Sequence, residues 1–310
     1  MSTVPPEEVE NASGRDDSSH LVAAIAQWYQ SNARALPWRE NGFGAWGILV
    51  SEFMLQQTPV ARVIEPLRLW MERWPTPSAL ASEPAGEAVR AWGRLGYPRR
   101  ALRLHACAVA ITDHHDGQVP EDVDELLSLP GVGEYTARAV AVFAYGHRHP
   151  VVDTNVRRVL ARAIDGNEHP APPSTRRDLA AMEAVLPTDI AEARVVSAAV
   201  MELGAIVCTA RTPSCAACPI ADRCAWRAAG YPDHVGPIRK PQAKYEGSDR
   251  QVRGLILAQL RSSEVPVSAE DLRGLWHDDA QRDRALAGLR TDGLIEAISG
   301  ETPESYRLPE

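Results

Sequence analysis

Four cysteines, Cys208, Cys215, Cys218 and Cys224, fall within 17 consecutive residues in a C-x6-C-x2-C-x5-C pattern. That spacing restricts the chain more than any other feature. Disulfides need an oxidising compartment, to which nothing else in the sequence points. Structural zinc usually takes two C-x2-4-C knuckles well apart in sequence. A cubane iron–sulfur cluster needs four thiolates wrapped around one body, and a single loop can supply them. Only five cysteines occur in 310 residues, so chance clustering of four is a poor account. The cluster is the leading reading, with zinc second. Arg211 and Arg223 lie in the loop, where cations suit a cluster of net negative charge. Cys107 lies in an Ala-rich helical stretch and reads as core.

Around that loop the chain reads as helical. Residues 1–18 are polar and read as a disordered tail. Apolar residues recur at helical spacing from Leu21 to about Ala35. The same spacing returns at Trp46–Gln57, Val60–Arg73, Glu87–Trp92, Arg100–His114, Val123–Leu129, Glu134–Tyr145, Asn155–Ala163, Thr175–Val185 and Ala191–Val207. No strand-like alternation interrupts them, so residues 19–235 form an all-α core. A linker, residues 236–247, holds Pro237, Pro241 and both lysines. Residues 248–310 read helix, helix, helix, then two short strands, Leu294–Ala297 and Ser305–Leu308, around Ser299-Gly300. That order is winged-helix-like, and Ser268 with Asp271 forms a capping pattern. The linker's Pro and charge imply a core that folds without this module.

Charge is uneven. Residues 1–20 carry net −4, residues 246–310 net −5, and the middle net +1, within a total of −8. A near-neutral core can still offer one basic face to phosphate. The N-terminus has neither a basic nor an apolar leader-like segment, and no run approaches membrane-spanning length. The expectation is a soluble cytoplasmic protein. Only two lysines, Lys240 and Lys244, stand among 33 basic residues, so almost no amine is available for covalent chemistry.

Three stretches carry candidate chemistry. Leu129-Pro130-Gly131-Val132-Gly133 sits between two helical patterns, and its glycines permit a tight turn. The free N–H groups of the next helix would then face an anion such as a DNA phosphate. The plain alternative is an ordinary helix–helix turn. Asp153, Thr154 and Asn155 open a helix, and by themselves favour a capping role for Asp153. Glu52 sits in an otherwise apolar helix, and apolar surroundings raise a carboxyl pKa toward that of a general acid. Gln56, Gln57 and Thr58 follow it with hydrogen-bonding groups useful at base edges.

Leu36-Pro37-Trp38-Arg39, Ser51–Thr58, Leu95-Gly96-Tyr97, Leu129–Gly133, Val152–Val156 and the four cysteines occur in one order. In this the chain resembles the helix-hairpin-helix, iron–sulfur DNA glycosylases, which share an endonuclease III-like core. Within them it is most similar to the MutY-type adenine DNA glycosylases, over about residues 20–230. The hairpin and the cysteines are common to the superfamily. The Glu52–Thr58 stretch and Tyr135 single out the MutY type.

The resemblance implies a two-lobed fold, with a six-helix lobe at about 46–146 and a cluster lobe at about 19–45 and 147–235. It implies a 4Fe-4S cluster on the four cysteines. It implies a monomer acting on double-stranded DNA, associated with the nucleoid, that excises adenine opposite 8-oxoguanine or guanine. Glu52 would protonate the flipped adenine, and Asp153 would stabilise an oxocarbenium-like sugar. Tyr135 and Asn155 would hold this site by hydrogen bonds. Trp38, Arg39 and Leu55 would line the adenine pocket. Gln57, Thr58 and Tyr97 would probe the opposite strand, with Tyr97 as a wedge. Gly131, Val132 and Gly133 would grip a phosphate, and Arg211 and Arg223 would meet the DNA backbone.

The chain departs from the family in three places. Its C-terminal 65 residues are too few for a Nudix-like lesion-reading domain. Val196-Ser197-Ala198 replaces a Phe-Asn-Gln/Glu pattern, so a polar pocket contact at Ala198 is lost. Pro98 replaces a commonly aromatic residue. Two other readings remain. An endonuclease III-like glycosylase/lyase needs a lysine where Tyr135 stands. A noncatalytic DNA-binding protein needs neither Glu52 nor Asp153.

Overall fold

Glycine, proline and short polar caps cut this chain into helices, and the apolar faces between the cuts decide where each helix packs. A computed structural model describes residues 20–40, 42–233, 244–298 and 304–310. The tail at 1–18, most of the linker and the Ser299-Gly300 turn lie outside the described residues. The described chain forms two compact units. One takes the described residues of Met1–Leu36, Glu121–Leu127 and Gly133–Pro237; the other takes those of Pro37–Pro120, Ser128–Val132 and Ile238–Glu310. Residues 121–127 and 133–146, which the resemblance put in the six-helix lobe, thus belong to the cluster unit, and 37–45, put in the cluster lobe, belong to the other.

The cluster unit contains α1 (residues 20–32), most of α7 (Val123–Ser128), α8 (Glu134–Phe143), α9 (Thr154–Ala163), α10 (Thr175–Glu183), α11 (Ile190–Ile206) and the single turn α12 (Ala225–Ala228). Its core joins Leu21, Val22 and Ile25 of α1 with Val156, Val159, Leu160 and Ala163 of α9 and Val196, Val200 and Leu203 of α11. The α9 residues follow the i, i+3, i+4, i+7 spacing of one helical face. Polar caps set where these helices begin. The Asp189 carboxylate accepts the Glu192 amide at 2.9 Å to open α11, and Asp153 opens α9. Arg34 clamps Glu202 of α11, its Nε and Nη2 each 2.8 Å from a carboxylate oxygen. Glu202 is 1% exposed, so this partner accounts for a charge the core would otherwise reject.

The second unit contains a 3-10 turn at Pro37–Arg39 and helices α2 (Gly44–Leu55), α3 (Val60–Arg73), α4 (Pro77–Ala81), α5 (Ala85–Trp92) and α6 (Arg99–His114). Helix α2 is buried without a break from Trp46 to Met54, as expected of a helix that is apolar all round. Trp70 meets Trp74 and Trp92 edge-on, with ring centroids 4.6 and 5.7 Å apart. Helix α4 has no counterpart among the helical spacings read from the sequence. Thr76 caps it, accepting the Ala79 amide at 3.2 Å, and Pro77 takes the first helical position, which needs no N–H donor.

The C-terminal module belongs to this second unit. It runs α13 (Asp249–Ser262), β1 (Val267–Ser268), α14 (Ala269–Arg273), α15 (Asp279–Thr291), β2 (Glu296–Ile298) and β3 (Ser305–Arg307). The three strands form an antiparallel sheet ordered β1-β3-β2, with Tyr306 paired to both Val267 and Ala297. Strand β1, two residues long, carries no sequence signal. Ser268 caps α14 through the Asp271 amide at 3.1 Å.

Linker composition gave no sign that the module packs on α5. Arg90, near the end of α5, donates to the carbonyls of Leu260 (3.4 Å), Arg261 and Ser263 (2.9 Å). Arg261, near the end of α13, donates in return to the carbonyls of Val89 (2.9 Å) and Gly93 (2.6 Å). Each arginine serves the carbonyl-rich, negative end of the other's helix. At the start of α5 the Gly86 amide donates to Pro309 O at 2.7 Å, and a Cβ at Gly86 would lie 2.5 Å from that oxygen. No helix among the described residues is long and apolar enough to cross a membrane.

Candidate active site and cluster loop

Asp153 does what its sequence position suggests and more. Its Oδ1 accepts the Asn155 and Val156 amides at 2.8 and 2.7 Å, capping α9. Its Oδ2 accepts Asn155 Nδ2 at 2.7 Å. Burial pushes the carboxyl above its ordinary 3.8, and the hydrogen bonds from Val156 and Asn155, which pull the other way, do not cancel that. An exposed cap would not meet that penalty.

Asn155 is fixed in turn. Its Oδ1 accepts Arg158 Nη2 at 2.7 Å, which leaves its Nδ2 for Asp153. Arg158 also donates to Gly204 O at 2.6 Å and to Cys208 O at 2.7 Å. A continuous set of hydrogen bonds therefore runs from Asp153 to the first cysteine of the loop. Gly204 makes the approach possible, since a Cβ there would lie 2.7 Å from Asn155 Cβ.

One helical turn further, Arg162 is 1% exposed and organises the loop itself. It donates to Glu168 O (2.9 Å), Thr209 O (2.8 Å) and Ala210 O (3.1 Å), and its Nη1 lies 3.5 Å from Cys208 Sγ. Its guanidinium stacks 4.7 Å from the Trp226 ring centroid. Arg211 and Arg223, which the sequence reading singled out, are exposed instead. Arg158 and Arg162 were missed, although their i, i+4 spacing after Asp153 puts them on one face of α9.

All four cysteines line one pocket with Arg162 and Trp226. Four thiols around one space suit a body held at four points. Cys107 is wholly buried elsewhere, and burial pushes its thiol up to about 12, as expected of a core residue.

In the second unit Glu52 is 5% exposed, within the apolar run of α2. Leu55 is half-buried, as are Trp38 and Arg39 of the 3-10 turn. Gln57 and Tyr97 are exposed, and both are non-glycine residues in the left-handed region, at φ 57° and 48°. Such residues cost free energy and persist only where the surroundings hold them.

Arg100 supplies the hold. It is buried, and burial lowers its pKa to about 10. It donates to Phe53 O (2.7 Å) and Met54 O (2.9 Å) at the end of α2, to the Thr58 hydroxyl (2.8 Å), and to Gly96 O (3.0 Å). One side chain thus braces the Glu52 helix and both exposed turns. Thr58, expected at the opposite strand, is corrected to an internal brace: it is 5% exposed, and its hydroxyl donates to Leu95 O at 3.0 Å.

The hairpin turn needs a similar correction at one position. Gly131 has φ 79°, and a Cβ there would lie 2.9 Å from both Phe53 and Arg103. Val132 is buried and donates its amide to Leu129 O at 3.2 Å, so it shapes the turn rather than gripping a phosphate. Gly131 and Gly133 are the exposed positions, and α8 begins after Gly133 without a side-chain cap. Tyr135, in the first turn of α8, packs on Ala139, Val142 and Val151. Glu52 and Asp153 belong to different units.

A glycine hairpin turn leading into an uncapped helix, a capped and half-buried Asp153, and a four-cysteine loop are the features of a base excision repair protein of the HhH-GPD superfamily. The pattern of that superfamily matches residues 50–183, and that of the iron-sulfur binding domain of endonuclease III matches residues 208–224. The loop is accordingly the seat of a 4Fe-4S cluster. A thermostable thymine-DNA glycosylase has the same fold, with a TM-score of 0.63 over 69% of this chain and 98% of its own, at 24% identity. The adenine DNA glycosylase of Mycobacterium tuberculosis is 57% identical over 272 residues, 87% of this chain and 88% of that protein. That of Mycolicibacterium smegmatis is 56% identical over 285 residues, 89% of this chain and 95% of that protein. The chain belongs to the adenine DNA glycosylase family.

Proposed function

We propose that this chain excises adenine mispaired with 8-oxoguanine or guanine in double-stranded DNA, with Glu52 as proton donor and Asp153 as the carboxylate facing the sugar. The observation that carries these roles is that both acids are drawn away from water, Glu52 buried and Asp153 half-buried with its carboxyl raised by desolvation. Glu52 sits in an apolar helix that leads straight into the exposed Gln57 turn. Asp153 stays half-buried at the head of α9, where desolvation raises its carboxyl.

The chemistry follows. The adenine must leave the stack, because its glycosidic bond is out of reach within a duplex. Glu52 in its neutral form gives a proton to a ring nitrogen of adenine, making a better leaving group. The C1′–N9 bond breaks, its electron pair goes to the base, and positive charge spreads over the sugar. Asp153, held by three donors, stabilises that charge without having to reorient. Water, assisted by the Glu52 carboxylate, adds to C1′ and leaves an abasic site. The cluster, when bound, ties the Cys208–Cys224 loop together, and its part here is structural.

The product should be an intact abasic site. A lyase forms a Schiff base through an amine, and Tyr135 stands where that amine is needed. The test uses duplexes carrying A opposite 8-oxoguanine, A opposite G, and thymine glycol, each scored with and without alkali. Adenine release that yields strand breaks only after alkali is expected. Release from thymine glycol, or efficient borohydride trapping, overturns the assignment.

A further inference from the structure

The carbonyls from Gly93 to Gly96, which lead into Tyr97, are each held by a side chain. Arg62 donates to Arg94 O, Thr58 to Leu95 O, and Trp92 and Arg100 to Gly96 O. Those four residues come from helices α3, α5 and α6 and the turn after α2. Gly93 O, the first of the series, is held at 2.6 Å by Arg261 of the C-terminal module. The module reaches the far side of the turn as well. Arg99, two residues after Tyr97, pairs at 3.3 Å with Asp292, which is also the partner of Arg253.

Helix α5, which delivers the chain into this turn, is held by the module at both ends, through Pro309 at Gly86 and through Arg261 at Val89 and Gly93. Arg90 locks the arrangement from the other side, since its three acceptors, Leu260, Arg261 and Ser263, bracket the residue that grips Gly93. Tyr97 itself is 49% exposed at φ 48°. An exposed aromatic kept in a costly backbone state is one whose position the fold over-determines. The module is net −4 and carries no lysine, so it is poorly suited to holding phosphate directly.

We propose that the C-terminal module positions the Tyr97 turn for entry into DNA, with Arg261 as the positioning residue. The module acts on the opposite strand through Tyr97 and not through contacts of its own. This rests on the reading of Tyr97 as a wedge.

The test is a double-mutant cycle on the full chain, with Arg261→Met, Tyr97→Ala and the pair. Two readouts are taken on a duplex with A opposite 8-oxoguanine. One is single-turnover adenine release. The other is the fluorescence of a 2-aminopurine placed beside the 8-oxoguanine, which rises when that strand is unstacked. Arg261→Met should slow release about tenfold and reduce the fluorescence rise, in line with residues that share a network. The same change in the Tyr97→Ala background should have little further effect. Additive losses, or slowed release with a normal fluorescence rise, overturn the proposal. If Tyr97→Ala alone changes neither readout, the wedge reading fails, and the proposal with it. If Arg261→Met folds poorly, Arg261→Lys and the near-isosteric Asp292→Asn replace it. They should show smaller losses that again vanish without Tyr97, and normal values for both overturn the proposal.

Discussion

The Arg100 guanidinium donates to the Thr58 hydroxyl at 2.8 Å inside the core of one unit. This bond joins the turn after the Glu52 helix to the start of α6, three residues past Tyr97. Its two partners lie 42 residues apart in sequence, and neither reaches solvent.

Thr58→Val keeps the shape of the side chain and removes the hydroxyl. It leaves Leu95 O with only the long 3.5 Å bond from Arg100 and removes the 2.8 Å acceptor of an Arg100 N–H. Stability should fall by about 1–3 kcal/mol, the usual cost of orphaning buried polar groups. Denaturant unfolding measures it. Unchanged stability with weakened DNA binding would restore Thr58 to the DNA surface.

Asp153→Asn should abolish adenine release while DNA binding persists. The cap would survive, since an Asn oxygen accepts the Asn155 and Val156 amides equally well. Near-normal release would reduce Asp153 to a helix cap. The pH dependence has a definite sign. Burial raises the folded-state pKa of Asp153 above its ordinary 3.8, so the folded protein binds more protons than the unfolded chain just above that value. Wild-type stability therefore loses ground as pH rises from about 4 through the raised pKa. The stability of the Asn variant relative to wild type should shift in the variant's favour across that window. A shift the other way would show that hydrogen bonding, not burial, sets this pKa.

Arg158→Met should weaken the site without touching DNA. It strips the acceptors Asn155 Oδ1, Gly204 O and Cys208 O of their shared donor. Adenine release should fall by about tenfold or more, because a misplaced catalytic group loses orientation quickly. DNA affinity should be nearly unchanged. Gly204→Ala should do the same by another route. A Cβ there lies 2.7 Å from Asn155 Cβ, and such overpacking costs about 1–3 kcal/mol. Normal release in both variants would disconnect the loop from Asp153.

Cys215→Ser should lose iron and visible absorbance, and the loop should become protease-sensitive, because the cluster links four points of it. Cys107→Ser should keep the colour. Stoichiometric zinc without iron in the wild-type protein would overturn the cluster.

Much of this protein is legible in its residues alone. The four cysteines declare a cluster because their chemistry needs only proximity in sequence. Helix boundaries follow from local signals, such as the Asp153 and Ser268 caps and the glycines at 131 and 133. Arg100, Arg158, Arg162 and Arg261 were not legible, and all four act in one way. Each carries several donors to backbone carbonyls, two to four of them per side chain, many far away in sequence. An arginine's partners are fixed by packing and not by spacing, and in a chain with 31 arginines no composition signal marks which ones are buried. Thr58 shows the same limit in reverse. Its place in a polar run suggested an outward role, and only the fold turned its hydroxyl inward. The sequence determined which chemistry this protein can perform. Tertiary structure decided which side chains hold that chemistry in place, because burial and long-range hydrogen bonds exist only once the helices have packed.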